Sequence, residues 1–138
     1  MGRIIALDFG KVRTGIAVTD ELQIIASGLT TVATKELIAF LKAYFAKERV
    51  DKIVVGEPKQ MDNSASESEV LIVPLLEKLA KFFPNIPIER EDERFTSKMA
   101  FQTMIASGLN KKQRRNKALV DEISATIILQ SYLGKSNF

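Results

Sequence analysis

The chain of 138 residues has no cysteine, no histidine and no tryptophan. Without cysteine it makes no disulfide, holds no thiolate-ligated zinc and has no thiol nucleophile. Without histidine it lacks the commonest general base, every Ser-His arrangement and every imidazole metal ligand. Chemistry here must rest on carboxylates, lysines, hydroxyls or a cation held by hard oxygens, and Mg²⁺ or Mn²⁺ are the ions that suit such ligands. No apolar run approaches the roughly 20 residues of a membrane span. No basic segment followed by an apolar leader precedes the first strand-like run. The expectation is a cytoplasmic protein with no membrane partner.

What the chain does have is a core and a slight basic excess. Hydrophobic residues make up 46%, and 20 Lys and Arg stand against 17 Asp and Glu, a net charge of +3. The length suits one domain spanning 1–138. The charge is compatible with a nucleic-acid partner.

Apolar patterning predicts the elements. Residues 3–8 (RIIALD) read as a buried strand and 16–20 (IAVTD) as a second, with GKVRTG as the turn of a hairpin between them. GLTTV at 28–32 is a third strand rich in β-branched residues. Thr34 is placed to cap a helix over 35–49, in which Leu37, Phe40, Leu41, Tyr44 and Phe45 share one face. DKIVVGEP is a fourth strand. Ser64 and Glu67 form a capping-box pattern before a helix running to about Phe83, kinked by Pro74. Residues 85–92 (NIPIERED) read as a fifth strand, with Pro87 favouring a sheet edge. A further helix opens at Thr96 and stops at Gly108. The basic stretch LNKKQRRNK follows at 109–117, and a last helix spans about 118–133. Three meandering strands followed by β-α-β crossovers predict an α/β fold. Its mixed five-stranded sheet has the order 3-2-1-4-5, with helices on both faces.

Asp8 ends the first strand, beside the expected change of chain direction where ligands bind in such sheets. One carboxylate holds Mg²⁺ poorly, so partners are expected among Glu57, Asp92, Glu93, Asp121 and Glu122. Asp121 is preferred to Glu122 because its helical neighbours Ser124, Ala125 and Ile128 make a small, apolar face suited to packing on a sheet. Asp121 also starts a helix, where the dipole favours a carboxylate. Lys11 and Arg13 flank Asp8 and suit a phosphate. Lys111, Lys112, Arg114, Arg115 and Lys117 put five cations into seven positions, a pattern for neutralising a phosphate backbone. Tyr132 and the phenylalanines fit core packing.

Four stretches, IALDFGKVRTGIAVTD, KIVVGEPKQMDN, EREDERFTSKMA and VDEISATIILQSYL, together resemble the YqgF (RuvX) family, in order and in spacing. These are ribonuclease H-like proteins related to the Holliday-junction resolvase RuvC. The resemblance implies a metal-dependent nuclease that processes the 5′ end of pre-16S rRNA, with a junction-resolving DNA endonuclease or a non-catalytic nucleic-acid-binding factor as alternatives. It implies that Asp8, Glu93 and Asp121 are catalytic carboxylates binding Mg²⁺ or Mn²⁺, and that Arg94 of the Asp92-Glu93-Arg94 motif meets a carboxylate or phosphate. Where relatives read Gly-Leu-Pro, this chain reads Gly56-Glu57-Pro58, which makes Glu57 a candidate extra ligand. The pre-rRNA or branched-DNA partner would meet a monomer or weak homodimer. Asp8-x-Gly10 with Thr14-Gly15 also resembles the phosphate loop of actin-like ATPases, a smaller alternative because those proteins use two such domains.

Overall fold

The structure, a computed structural model, describes residues 2–57, 69–92 and 116–136. Strands β1 (Arg3–Phe9), β2 (Arg13–Thr19) and β3 (Ala26–Ala33) run as an antiparallel meander. A 3₁₀ turn at Thr34–Glu36 leads into helix α1 (Leu37–Lys47). Strand β4 (Val50–Glu57), helix α2 (Glu69–Phe82), strand β5 (Ile88–Asp92) and helix α3 (Lys117–Ser136) complete the described elements. The strands form one sheet in the order β3-β2-β1-β4-β5, as the patterning predicted. β1, β4 and β5 are parallel, so Phe9, Glu57 and Asp92 end at one rim. The helix expected over 96–108 lies outside the described residues, as does the Ser64-Glu67 box.

Strand alternation divides the sheet cleanly. Ile5, Leu7, Ile16, Ile53 and Val55 face α1 and α2, where they pack with Leu37, Leu41, Ile72, Leu75 and Leu79. Ile4, Ala6, Ala17 and Val54 face α3 and its Ala125, Ile128, Leu129 and Tyr132. The second face is built from smaller side chains, so α3 comes closer to the sheet. α2 continues through Pro74, which has no N–H to offer the carbonyl of Val70.

α3 crosses the strands instead of following them. Its residue Asp121 lies on β2 and its residue Ser131 donates a hydrogen bond to Glu91 of β5. Ten residues of helix span about 15 Å, and three strand spacings from β2 to β5 span about 14 Å. One helical turn therefore falls on each successive strand.

Some details differ from the sequence reading. β2 begins at Arg13, three residues before the expected strand, so the turn shrinks to Gly10–Val12. Thr34 makes no helix cap. Its hydroxyl donates to the Gly10 carbonyl at 2.6 Å, and the buried Thr14 hydroxyl lies 2.9 Å from it. Thr34 has one proton to give, so Thr14 is the donor of the second bond. A tertiary acceptor thus outcompetes the local one, and the β1–β2 turn is pinned to the end of β3. The sequence also understates α3, which starts at Lys117 with Asn116 as its cap, the side-chain carbonyl accepting from Leu119 N–H at 3.2 Å.

Near the far end of α3, Lys52 donates to the Tyr132 hydroxyl at 2.5 Å, and that hydroxyl donates to Glu89. Hydrogen bonding by Tyr132, then the Lys52 ammonium, holds the Glu89 carboxyl below its ordinary 4.5. The same hydroxyl, with Glu89, raises the Lys52 ammonium above 10.5. A depressed acid stabilises the fold above its unfolded value and loses that contribution as pH falls through its folded value. The raised base contributes below its unfolded value and loses the effect as pH climbs through its folded one. Tyr132→Phe is therefore expected to cost about 1 kcal/mol at neutral pH. In urea titrations its deficit should shrink as pH falls below 4.5 and on through the lower folded value of Glu89, beneath which the acid is protonated in both states.

Candidate active site at the carboxyl-end rim

Asp8 stands one residue from the end of β1 on the α3 face, by alternation from Ala6. Its cross-strand partner on β2 is Gly15. Gly15 is bare because α3 occupies the space where its side chain would be. A Cβ there would lie 2.0 Å from the Asp121 carbonyl oxygen and 2.3 Å from its carbonyl carbon. The helix backbone at Asp121 thus rests on the residue that pairs with Asp8. Asp8 and the Asp121 backbone, separated by 113 positions in the chain, are thus neighbours across Gly15.

Glu122 goes elsewhere. A Cβ on Gly28 of β3 would meet its Oε1 at 2.5 Å, so its carboxylate lies over β3, two strands from Asp8. The turn of about 100° between consecutive helix residues separates these two acids.

Register sorts the other acids. Leu7 pairs with Val55, so Gly56 stands beside Asp8 and Glu57 beside Phe9. Alternation then puts Glu57 on the α1 and α2 face, away from Asp8. Asp92 pairs with Glu57 and shares that face. Glu91 pairs with Gly56 and lies on the Asp8 face, 3% exposed, with its Oε1 accepting from Ser131 at 3.0 Å. Sequence reasoning did not name Glu91 among the candidate acids, although the period-2 spacing of Glu89 and Glu91 was the available signal. Glu93, Arg94, Lys111, Lys112, Arg114 and Arg115 lie outside the described residues. Among the described residues no three acidic side chains form a group able to hold a metal.

The rim also carries cations. Arg13 Nε donates to Asp121 Oδ2 at 2.9 Å, with both side chains partly exposed. Lys11 is exposed in the turn beside it, and Lys117 is exposed at the start of α3. The Ala118 carbonyl accepts from the Thr31 hydroxyl at 2.6 Å, which ties that helix end to β3. The turn itself is fixed by Gly10 N–H to the Arg13 carbonyl and by Thr34 N–H to the Val12 carbonyl, both at 2.9 Å. Acid and base are thus displayed from preset backbone, the arrangement that favours a charged, phosphate-bearing ligand.

The model of the RuvX family, described as Holliday junction resolvase, matches residues 2–135. The chain belongs to the RuvX family. A RuvX relative from Flavobacterium psychrophilum, named "Putative pre-16S rRNA nuclease", is 65% identical over 133 residues, covering 96% of this chain and 97% of its own. One of the same name from Bacteroides thetaiotaomicron is 59% identical over 138 residues, the whole of both chains. Among solved structures, Thermus thermophilus RuvC superposes with a TM-score of 0.56 at 15% identity, over 98% of this chain and 96% of that one. RuvC from T. thermophilus bound to a Holliday junction gives 0.55 at 14%, over 99% and 96%. At that identity the likeness is one of fold, the ribonuclease H-like fold expected from the motifs. Assignment to RuvX removes the basis for an actin-like ATPase.

Gly15→Ala is expected to lift α3 from β2 at Asp121. The clash is with backbone, which cannot rotate away, so the cost should reach about 3 kcal/mol and lower Tm by roughly 10 °C. Thermal unfolding by circular dichroism measures it.

Proposed function

We propose that this RuvX protein is a metal-dependent nuclease that hydrolyses phosphodiester bonds at the 5′ end of pre-16S rRNA, in the cytoplasm. The observation that carries the reading is the convergence of Asp8 and Asp121 at one rim across Gly15, with Arg13 and Lys11 beside them. Support comes also from relatives about 60% identical whose names state that substrate.

The donor set fits a hard divalent cation. It offers carboxylate oxygens and no nitrogen or sulfur ligand, in a chain with neither histidine nor cysteine. Asp8 and Asp121 would hold Mg²⁺ or Mn²⁺, and Glu93 joins them through the resemblance of the Asp92-Glu93-Arg94 motif. When bound, the ion supplies an activated water and neutralises charge developing on the phosphate. Glu57 is the weaker candidate ligand, because its face of the sheet is the other one.

The chain's own groups do the rest. Asp8 is fixed by its strand and Asp121 by the seat of α3 on Gly15, so neither carboxylate has to be ordered when substrate arrives. Arg13 holds Asp121 Oδ2 in the free protein and exchanges that carboxylate for a phosphate oxygen as the nucleic acid docks. Lys11 and Lys117, with Lys111, Lys112, Arg114, Arg115 and Arg94, neutralise the backbone on either side.

A second reading, cleavage of branched DNA, is favoured by the description of the family model and by the RuvC fold. One assay separates the two. Pre-16S rRNA and a four-way DNA junction are offered side by side with Mg²⁺ or Mn²⁺. Cleavage of the rRNA precursor is expected, and Asp8→Asn should reduce it to background with the circular dichroism spectrum unchanged. Undiminished cleavage by Asp8→Asn removes the proposed site. Replacing Lys111, Lys112, Arg114, Arg115 and Lys117 together by Gln should flatten the log–log salt dependence of RNA binding by roughly 3 to 4.

A further inference from the structure

We infer, resting on the cation site proposed above, that Ser124 is a positioning residue for Asp8, its hydroxyl donating to the carboxylate oxygen that Asp8 keeps clear of the metal ion. Among the described residues four polar or charged side chains are buried. Thr14 bonds the Thr34 hydroxyl, Thr19 accepts from Ile4 N–H and donates to the Asp20 carbonyl, and Glu91 accepts from Ser131. Ser124, 3% exposed, has no hydrogen-bond partner among the described residues. A helical serine can turn its proton back to the carbonyl four residues earlier, as the Thr126 hydroxyl does to Glu122 at 2.9 Å. Ser124 makes no such bond to Val120. A buried hydroxyl left unpaired costs stability, and volume does not ask for one, since Ala6, Ala17 and Ala125 serve the same thin face.

Both ends of α3 place that hydroxyl. At the far end Ser131 looks toward the Asp8 rim, at Glu91, and Tyr132 looks away from it, at Glu89. Ser124 precedes Ser131 by one heptad, so the two share a stripe of the helix to within about 20°. A heptad rises about 10.5 Å and two strand spacings measure about 9.6 Å, so the helix passes from β5 back to β1. The β1 residue level with Glu91 is Asp8, because Glu91 pairs with Gly56 and Gly56 stands beside Asp8. The near end agrees. Asp121 rests on Gly15, and one turn later α3 reaches the next strand, where Asp8 is the partner of Gly15. Ser124 is thus set over Asp8 as Ser131 is set over Glu91.

Carboxylates that hold a metal are in turn hydrogen-bonded by donors outside the ligand set, which fix their orientation. A serine hydroxyl suits that task. It is neutral, so it adds no charge beside Asp8 and Asp121, and its proton rotates to whichever oxygen is presented. In the free protein the hydroxyl stands idle, and the bond forms when Asp8 takes the rotamer of a ligand. The hydroxyl therefore favours the loaded state over the free one.

Mn²⁺ binding to the full chain, followed by the electron paramagnetic resonance signal of the free ion, tests this apart from any nuclease assay. Ser124→Ala should weaken Mn²⁺ binding by about tenfold or more. The same substitution should raise Tm of the metal-free protein by about 2–4 °C, because an unpaired buried hydroxyl is removed and alanine favours helix. Cleavage by Ser124→Ala should recover as Mn²⁺ is raised, and cleavage by Asp8→Asn should not. Wild-type Mn²⁺ affinity in Ser124→Ala, with Asp8→Asn defective, overturns this role and leaves the cation site standing. Mn²⁺ binding indifferent to Asp8→Asn removes the site and this role with it. A lowered Tm for metal-free Ser124→Ala shows that the hydroxyl already serves a structural bond, and overturns the role as well.

Discussion

The seat of α3 on Gly15 is the contact on which the rest of the molecule depends. A helix that crosses a sheet at ordinary spacing keeps its backbone well away from the strands. Here the absence of one Cβ lets the Asp121 peptide come down onto β2, beside the residue that pairs with Asp8. The small residues Ala6, Ala17 and Ala125 allow the same descent along the neighbouring strands. α1 and α2 pack on the opposite face through leucines and isoleucines. The candidate rim is therefore a consequence of side-chain volume: the thin face of the sheet is the face where a helix can deliver a carboxylate.

Electrostatics then decides how that rim is kept stable without a ligand. Two carboxylates brought together repel, and a chain lacking histidine has no neutral imidazole to place between them. Arg13 answers this by pairing with Asp121. The pair is partly exposed, so its worth to stability is small, on the order of 1 kcal/mol or less. Under the proposed function its value lies in being exchangeable. A deeply buried ion pair would hold Asp121 against any incoming cation, whereas one at a wet rim yields to a stronger pairing.

The sheet was legible in the sequence because its strands are short apolar runs separated by turn residues, and order follows from the connections. The placement of Asp8 at the end of β1 and of Asp121 on α3 near the sheet was legible for local reasons, a charge closing a buried strand and a periodic helix face. Other features depend on which residues meet across the fold. Thr34 has the chemistry of a helix cap, but the Gly10 carbonyl, 24 positions away, claims its hydroxyl. The face of Glu57 hinges on the pairing of Leu7 with Val55, and a shift of one residue would reverse it. The approach of α3 to Gly15 leaves no local mark, since a glycine in a strand signals a bulge as readily as a close contact.

The acids of β5 show how one motif can serve two ends. Read along the chain, EREDE is a charge run. Read across the sheet, Glu89 and Glu91 turn to α3 while Arg90 turns to the opposite face, its guanidinium donating to the carbonyls of Val55 and Gly56 at 3.2 and 3.0 Å. Glu89 meets Tyr132 and Glu91 meets Ser131, consecutive residues of one helix turn. These bonds anchor the far end of α3 as Gly15 seats the near end. A helix held only at Gly15 would pivot there, and the carboxylate of Asp121 would swing with it. Fastened at both ends across four strands, it cannot, so the charges that guard the β5 edge also fix the position of an acid three strands away on the same face.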